Sequence, residues 1–370
     1  MILLVLWEGF ETIVLPRRVT RRIRLTRLFY RFSWRPWAAL VHSIAIGKRR
    51  ETLLSFYGPL SLLLLLSLWA GGLITGFALL HWADSSSLQI TDGSGAFLSG
   101  LYLSSTTFFT LGLGDVTPHS SLARILTAIE AGMGFGFLAL VIGYLPALNQ
   151  SFSQREVSIS LLDARAGSPP TAAEMLRRHS SDNGLDALRH LLHEWELWSA
   201  ELLESHLSYP VLAYFRSQHD NQSWLAALTA VLDTCALVMV GLEGACQRQA
   251  RLTFAIARHA VADLSLVFLT PPREPRHNRL PPESLSELRT QMSALGLKLR
   301  EGEEADEMLT KLRHMYEPYV NSLARYLRIS IPPWIPSPRW IDNWQASAWE
   351  SPGTKAKRSE PLGMEKDEHF

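Results

Sequence analysis

The chain has 370 residues, 47% of them apolar, and a formal net charge of +1. A balance so close to neutral says little by itself, the basic segment near the start being better explained by anionic lipid than by nucleic acid, and two cysteines, Cys235 and Cys246, give no disulfide framework and suit a reduced cytosol. The average conceals a division: residues 1–150 are membrane-like, 151–330 read as soluble helices and 331–370 as a tail.

Residues 1–15, MILLVLWEGFETIVL, are too short and, at Glu8 and Glu11, too acidic to cross a bilayer. They also lack the basic start of a signal peptide, which predicts an amphipathic helix lying at the interface. Residues 16–50 then hold eleven Arg and Lys and no acid. Leu25, Leu28, Phe29 and Phe32 form one apolar stripe there. Arg17–Arg35 therefore reads as a helix on the cytoplasmic leaflet, its guanidinium groups among anionic lipid phosphates. Between residues 52 and 123 there is no Arg or Lys. The positive-inside rule keeps the basic 1–50 segment and both termini cytoplasmic and turns the 81–121 connection outward.

Leu60–Leu80 is long enough for the roughly 30 Å hydrocarbon core. Trp82 suits the outer interface, and Gly71, Gly72 and Gly76 let a neighbouring helix approach. Phe97–Phe109 is too short to span and reads as a half-crossing helix; its Ser104, Ser105, Thr106 and Thr107 need protein around them. In Thr110–Asp115, TLGLGD, glycine alternates with leucine. Left-handed dihedrals at the glycines would turn successive carbonyls to one side. Leu122–Leu145 is the second span, ending at Pro146, with Gly132 and Gly136 as a small-residue face. Glu130 inside it must face protein or water. It is expected to hydrogen-bond Thr106 or a serine of the half-helix and brace the loop from behind; facing a water-filled cavity is the alternative.

Beyond Gln150 the pattern is helical throughout: Asp182–Phe215 broken by Pro210, Trp224–Gly241, Arg248–Leu269, Glu283–Leu299 and Glu303–Leu327. Trp224–Gly241 is apolar enough to span, but Asp233 within it and the arginines after it favour a buried core helix. Residues 331–370, rich in Pro and Trp, predict a docking strand or disorder. His190 and His193, with Glu194, offer at most part of a metal site, and solvated histidines are the plainer reading. No nucleotide motif and no nucleophile elbow is present, so no enzyme is expected.

Thr107-Phe108-Phe109-Thr110-Leu111-Gly112-Leu113-Gly114-Asp115 resembles the signature of the potassium channel family, T-x-x-T-V-G-Y-G-D. With a span on each side, residues 51–150 resemble the pore domain of its two-transmembrane-helix bacterial branch, with a pore helix at 97–109 and a filter at 110–115. The resemblance implies an all-α membrane protein with a re-entrant pore helix, followed by an all-helical cytoplasmic domain. It implies a homotetramer in the bacterial inner membrane that conducts K⁺ passively. The carbonyls of Thr110, Leu111, Gly112, Leu113 and Gly114 would hold dehydrated K⁺ in file. Asp115 would sit at the outer mouth, Thr106, Thr107 and Glu130 would support the filter, and Gly134 would be the gating hinge. Leu113 stands where the family has tyrosine, which leaves a weakly selective K⁺/Na⁺ pore as an alternative. A non-conducting membrane sensor or scaffold is a third reading. No organic cofactor is implied, and nothing identifies the helical domain.

Overall fold

The computed structural model describes residues 1–15, 24–44, 47–84, 88–89, 96–181, 184–218, 221–242 and 244–336. Arg17, Arg18, Arg21 and Arg22 of the proposed lipid-binding stretch lie outside these, as does the tail from 337 onward. The described residues form helices joined by short connections, in two units.

The first unit comprises Met1–Gln154 and Leu203–Arg216. It begins with α1 (Ile2–Gly9) and a turn of π-helix, followed by α2 (Leu25–Ile44), α3 (Lys48–Ser55) and α4 (Tyr57–Ala83). The α1 segment, expected at an interface, instead lies along the glycine face of α4. A Cβ at Gly72 would come within 3.1 Å of Val5, and one at Gly76 would overlap Ile2. Missing side chains thus create the groove that α1 fills. Glu8 is buried because the amide and hydroxyl of Thr26 both donate to it, at 3.1 and 3.0 Å. Pro36 does not divide α2, whose buried residues Tyr30, Trp34, Ala38 and Val41 keep helical spacing across it.

A short strand, β1 (Leu88–Gln89), precedes α5 (Ala96–Phe108) and pairs antiparallel with β2 (Thr117–Pro118), Leu88 opposite Pro118. Then α6 runs from Ser121 to Ala166, through Pro146 rather than ending there. One proline removes one amide donor, and the helix continues past it between the buried Tyr144 and Leu148. The unit also takes in residues 203–216, placed in the cytoplasmic domain by the sequence reading. Their 3-10 turn, Pro210–Tyr214, sets Tyr214 5.5 Å from Tyr30 in a stack and 5.2 Å from Tyr57. A Cβ at Gly58 would overlap the Phe215 ring.

The second unit comprises Arg155–Leu202 and the chain from Ser217. It holds the end of α6, α7 (Ala172–Arg178), most of α8 (Gly184–Ser208), α9 (Trp224–Gly241), α10 (Ala245–Val267), α11 (Pro282–Ala294), α12 (Glu303–His314) and α13 (Glu317–Leu327). Thr171 caps α7 and Ser223 caps α9, each accepting an amide from the first turn. The window of α9 that could span a membrane by composition is 89% buried in this unit. It is the core helix, against which α7, α10, α12 and α13 pack. The Glu303–Leu327 helix expected from sequence is two helices, because Pro318 occupies the first turn of α13 and starts a new one.

Asp233, fully buried on α9, accepts from Arg279 at 2.6 and 3.2 Å and from the Tyr316 hydroxyl at 2.5 Å. Arg279 also reaches Glu317 at 3.0 Å and the Pro332 carbonyl at 2.8 Å. Arg279 and Arg313 stand 5.7 and 5.6 Å from the centre of the Trp334 ring, which is buried. The Trp334 carbonyl accepts the Ala173 amide at 3.1 Å. Residues 331–336 are therefore a docked strap. Burial raises the Asp233 carboxyl above the usual range against the opposing pull of Arg279, and the carboxylate in turn holds the Arg279 proton more firmly than burial alone would.

His179 supplies a pH response in this unit. Burial lowers it below the ordinary 6.5, although its Nδ1 lies 2.7 Å from the Met175 carbonyl. The unfolded chain then binds the proton first as pH falls. Stability is fully present above pH 6.5 and is lost as acid takes the pH from there down through the folded value. Replacing His179 with Gln should flatten that decline in urea unfolding midpoints measured between pH 7 and pH 5.

Candidate functional site

The C-terminal end of α5 runs straight into the glycine–leucine loop. The Thr106 carbonyl accepts the amide of Leu111 at 2.7 Å and of Gly112 at 3.4 Å, and the Thr107 carbonyl accepts the Thr110 amide at 3.0 Å. The loop thus closes the open carbonyl end of α5, whose dipole places partial negative charge beneath it. Thr110, Gly112 and Gly114 have φ of +58°, +57° and +80°. Left-handed residues thus alternate with Leu111 and Leu113, which keep negative φ. The sequence pattern marked the two glycines but not Thr110, where a left-handed L-residue costs about 1–2 kcal/mol. Leu111 and Leu113 stand 62% and 64% exposed, with Phe109 beside them at 59%.

The return from the loop is pinned at several points. Asp115 accepts the Tyr102 hydroxyl at 2.7 Å and the Val116 amide at 3.2 Å. Ser120 donates to Asp84 at 2.6 Å and accepts the Ala123 amide at the start of α6. Tyr102 escaped the sequence reading: a tyrosine thirteen residues before an aspartate carries no signal until the chain doubles back.

Behind the loop, Glu130 is fully buried. The structure does not bring the Thr106 hydroxyl to it. That hydroxyl donates within α5, to the carbonyls of Tyr102 at 3.1 Å and Leu103 at 3.0 Å. The neighbours of Glu130 are Ser104 and His81, whose Nε2 lies 3.7 Å from the carboxylate. Thr107 is buried on α5. One turn along α6 from Glu130, Gly134 meets the backbone of Phe108, and a Cβ there would run into the Phe108 carbonyl. This glycine is required for close approach, whatever bending it also permits. Gly134→Ala should cost about 1–3 kcal/mol by overpacking, read as a lower unfolding temperature of the detergent-solubilised protein.

His190 and His193 do not gather a metal site: among the described residues no three His, Cys, Asp or Glu side chains are placed to hold one. His193 lies 3.5 Å from Glu196, and Glu194 is bonded to Arg165 at 2.9 Å. Partners along and across α8 have taken the would-be ligands. Cys235 and Cys246 are both buried free thiols.

Two long apolar helices with a half-length helix and an irregular loop between them decide the comparison. Residues 63–150 match the family described as "Ion channel". The chain is also 30% identical over 190 residues to a protein of Bacillus subtilis (strain 168) called "Uncharacterized membrane protein YdjJ", over 49% of this chain and 52% of that protein. It therefore spans about half the length of the curated relative it matches. No solved structure matches. The chain thus carries a channel-like membrane domain joined to a large additional helical region.

Proposed function

We propose that four copies of this chain form a K⁺-selective channel in the bacterial inner membrane, with the loop Thr110–Gly114 as its filter. The observation that carries the reading is the left-handed backbone at Thr110, Gly112 and Gly114, alternating with outward leucines at the carbonyl end of a half-crossing helix. Irregular backbone of this kind cannot lie against lipid and needs protein around it. A ring of identical loops supplies that cover, and its stacked carbonyls replace the hydration shell of K⁺. Asp115, held by Tyr102, contributes negative charge at the outer mouth. The termini lie in the cytoplasm and Arg17–Arg35 binds anionic lipid. Because α6 is continuous to Ala166, bending near Gly134 would transmit motion between its cytoplasmic end and the pore.

One residue favours a second reading. Leu113 lacks the hydroxyl with which a tyrosine would tie the filter to its surround, so a pore that also passes Na⁺ is the runner-up. Reconstitution into liposomes with K⁺ or Na⁺ as the sole permeant cation separates the cases. K⁺ flux well above Na⁺ flux supports the proposal, equal fluxes support the leaky pore, and silence to both cations from an intact oligomer supports the scaffold.

A further inference from the structure

We propose that His81 is a positioning residue of the pore, acting through Glu130 on the pore helix; this rests on the channel reading above. His81 lies in the last turn of α4, Glu130 is on α6 and Ser104 is on α5, and all three are buried, the first pair with wholly inaccessible side chains. Two rungs join α5 to α6. At one, the backbone of Gly134 rests on Phe108. One turn away on each helix, the Glu130 carboxylate faces Ser104. Among the described residues, neither carboxylate oxygen of Glu130 and not the Ser104 hydroxyl has a hydrogen bond of ordinary geometry.

An ionisable group buried at that depth requires a compensating partner. Among the described residues, the ionisable side chain that faces it comes from α4, through Nε2 of His81 at 3.7 Å. The pair therefore ties the outer end of the first span to the second span. It does so directly behind the helix whose next turn, Thr106 and Thr107, accepts the amides of the loop. A shift of Glu130 toward Ser104 or away from it moves the base on which the loop stands. Apolar residues at 81 and 130 would fill the space but could not fix that register, which is the attested use of a buried polar pair.

The test uses the atom that makes the contact. Glutamine places its amide nitrogen close to where histidine has Nε2, whereas asparagine reaches only to the Nδ1 position. In liposomes bearing the full-length chain, H81Q should keep K⁺ flux and the K⁺-over-Na⁺ ratio near wild type. H81N should lower K⁺ flux about tenfold or more, the scale of leaving a buried carboxyl group without its partner. The double variant H81N/E130Q should be no worse than H81N alone, because both remove the same interaction. Oligomer integrity is measured for each in the same detergent. Equal fluxes for H81Q and H81N, or additive losses in the double variant, overturn the inference while leaving the channel intact. A wild type silent to both cations overturns the channel reading and this inference with it.

Discussion

Gly112→Ala should abolish K⁺ flux while leaving the oligomer assembled. At φ +57° an L-residue costs about 1–2 kcal/mol relative to glycine, and in the proposed ring of four that cost falls four times at one level of the proposed filter. At about 1.4 kcal/mol per tenfold, the smaller figure already predicts a loss of about a thousandfold. Among the described residues of one chain, chain neighbours aside, nothing lies within 4 Å of the added Cβ. The effect then belongs to the backbone and to the ring, not to a clash inside the protomer. The measurement is K⁺ efflux from liposomes at matched protein content, with crosslinking to show that the oligomer persists. Leu113→Tyr is the companion variant, expected to retain flux and to raise the preference for K⁺ over Na⁺. Wild-type flux through Gly112→Ala would separate the loop from conduction.

The parts of this site that were legible in the sequence are those set by local chemistry. Apolar length marked the helices that became α4 and α6, and alternating glycines marked two of the three left-handed positions. Chain-distant geometry was not legible. His81 carries no signal until the fold brings it to Glu130, and Tyr102 has no meaning before Asp115 returns to it. Thr110 adopts its dihedral because its amide is bonded back to Thr107, a constraint that no propensity at Thr110 announces. Pro146 misled in the opposite direction: locally it is a stop signal, yet α6 passes it. Likewise α1 looked interfacial because its own composition cannot reveal that Gly72 and Gly76 provide a groove for it. The domain boundary was obscured because Tyr209–Phe215 sits inside helical sequence but finds its aromatic partners near the start of the chain.

In the helical region the largest single effect should come from Arg279→Met. Asp233 has no exposure, and its two guanidinium bonds supply the charge that, with the Tyr316 hydroxyl, compensates for burying it. Removing the partner leaves a carboxyl in the core of α9, which costs about 3–5 kcal/mol when a buried pair is broken from one side. The same change releases the Pro332 carbonyl and one of the two cations over Trp334, so the strap at residues 331–336 should loosen with it. Two measurements follow from one variant: a lower urea midpoint for the full-length protein, and faster hydrogen exchange at the Ala173 amide, which donates to Trp334. Adding Asp233→Leu should recover most of the lost stability, since an apolar pair of similar volume removes the buried charge rather than stranding it. It should not recover the slow exchange at Ala173, because Pro332 still lacks its donor. That divergence would assign the arginine to holding the strap, and recovery of both would reduce it to balancing Asp233.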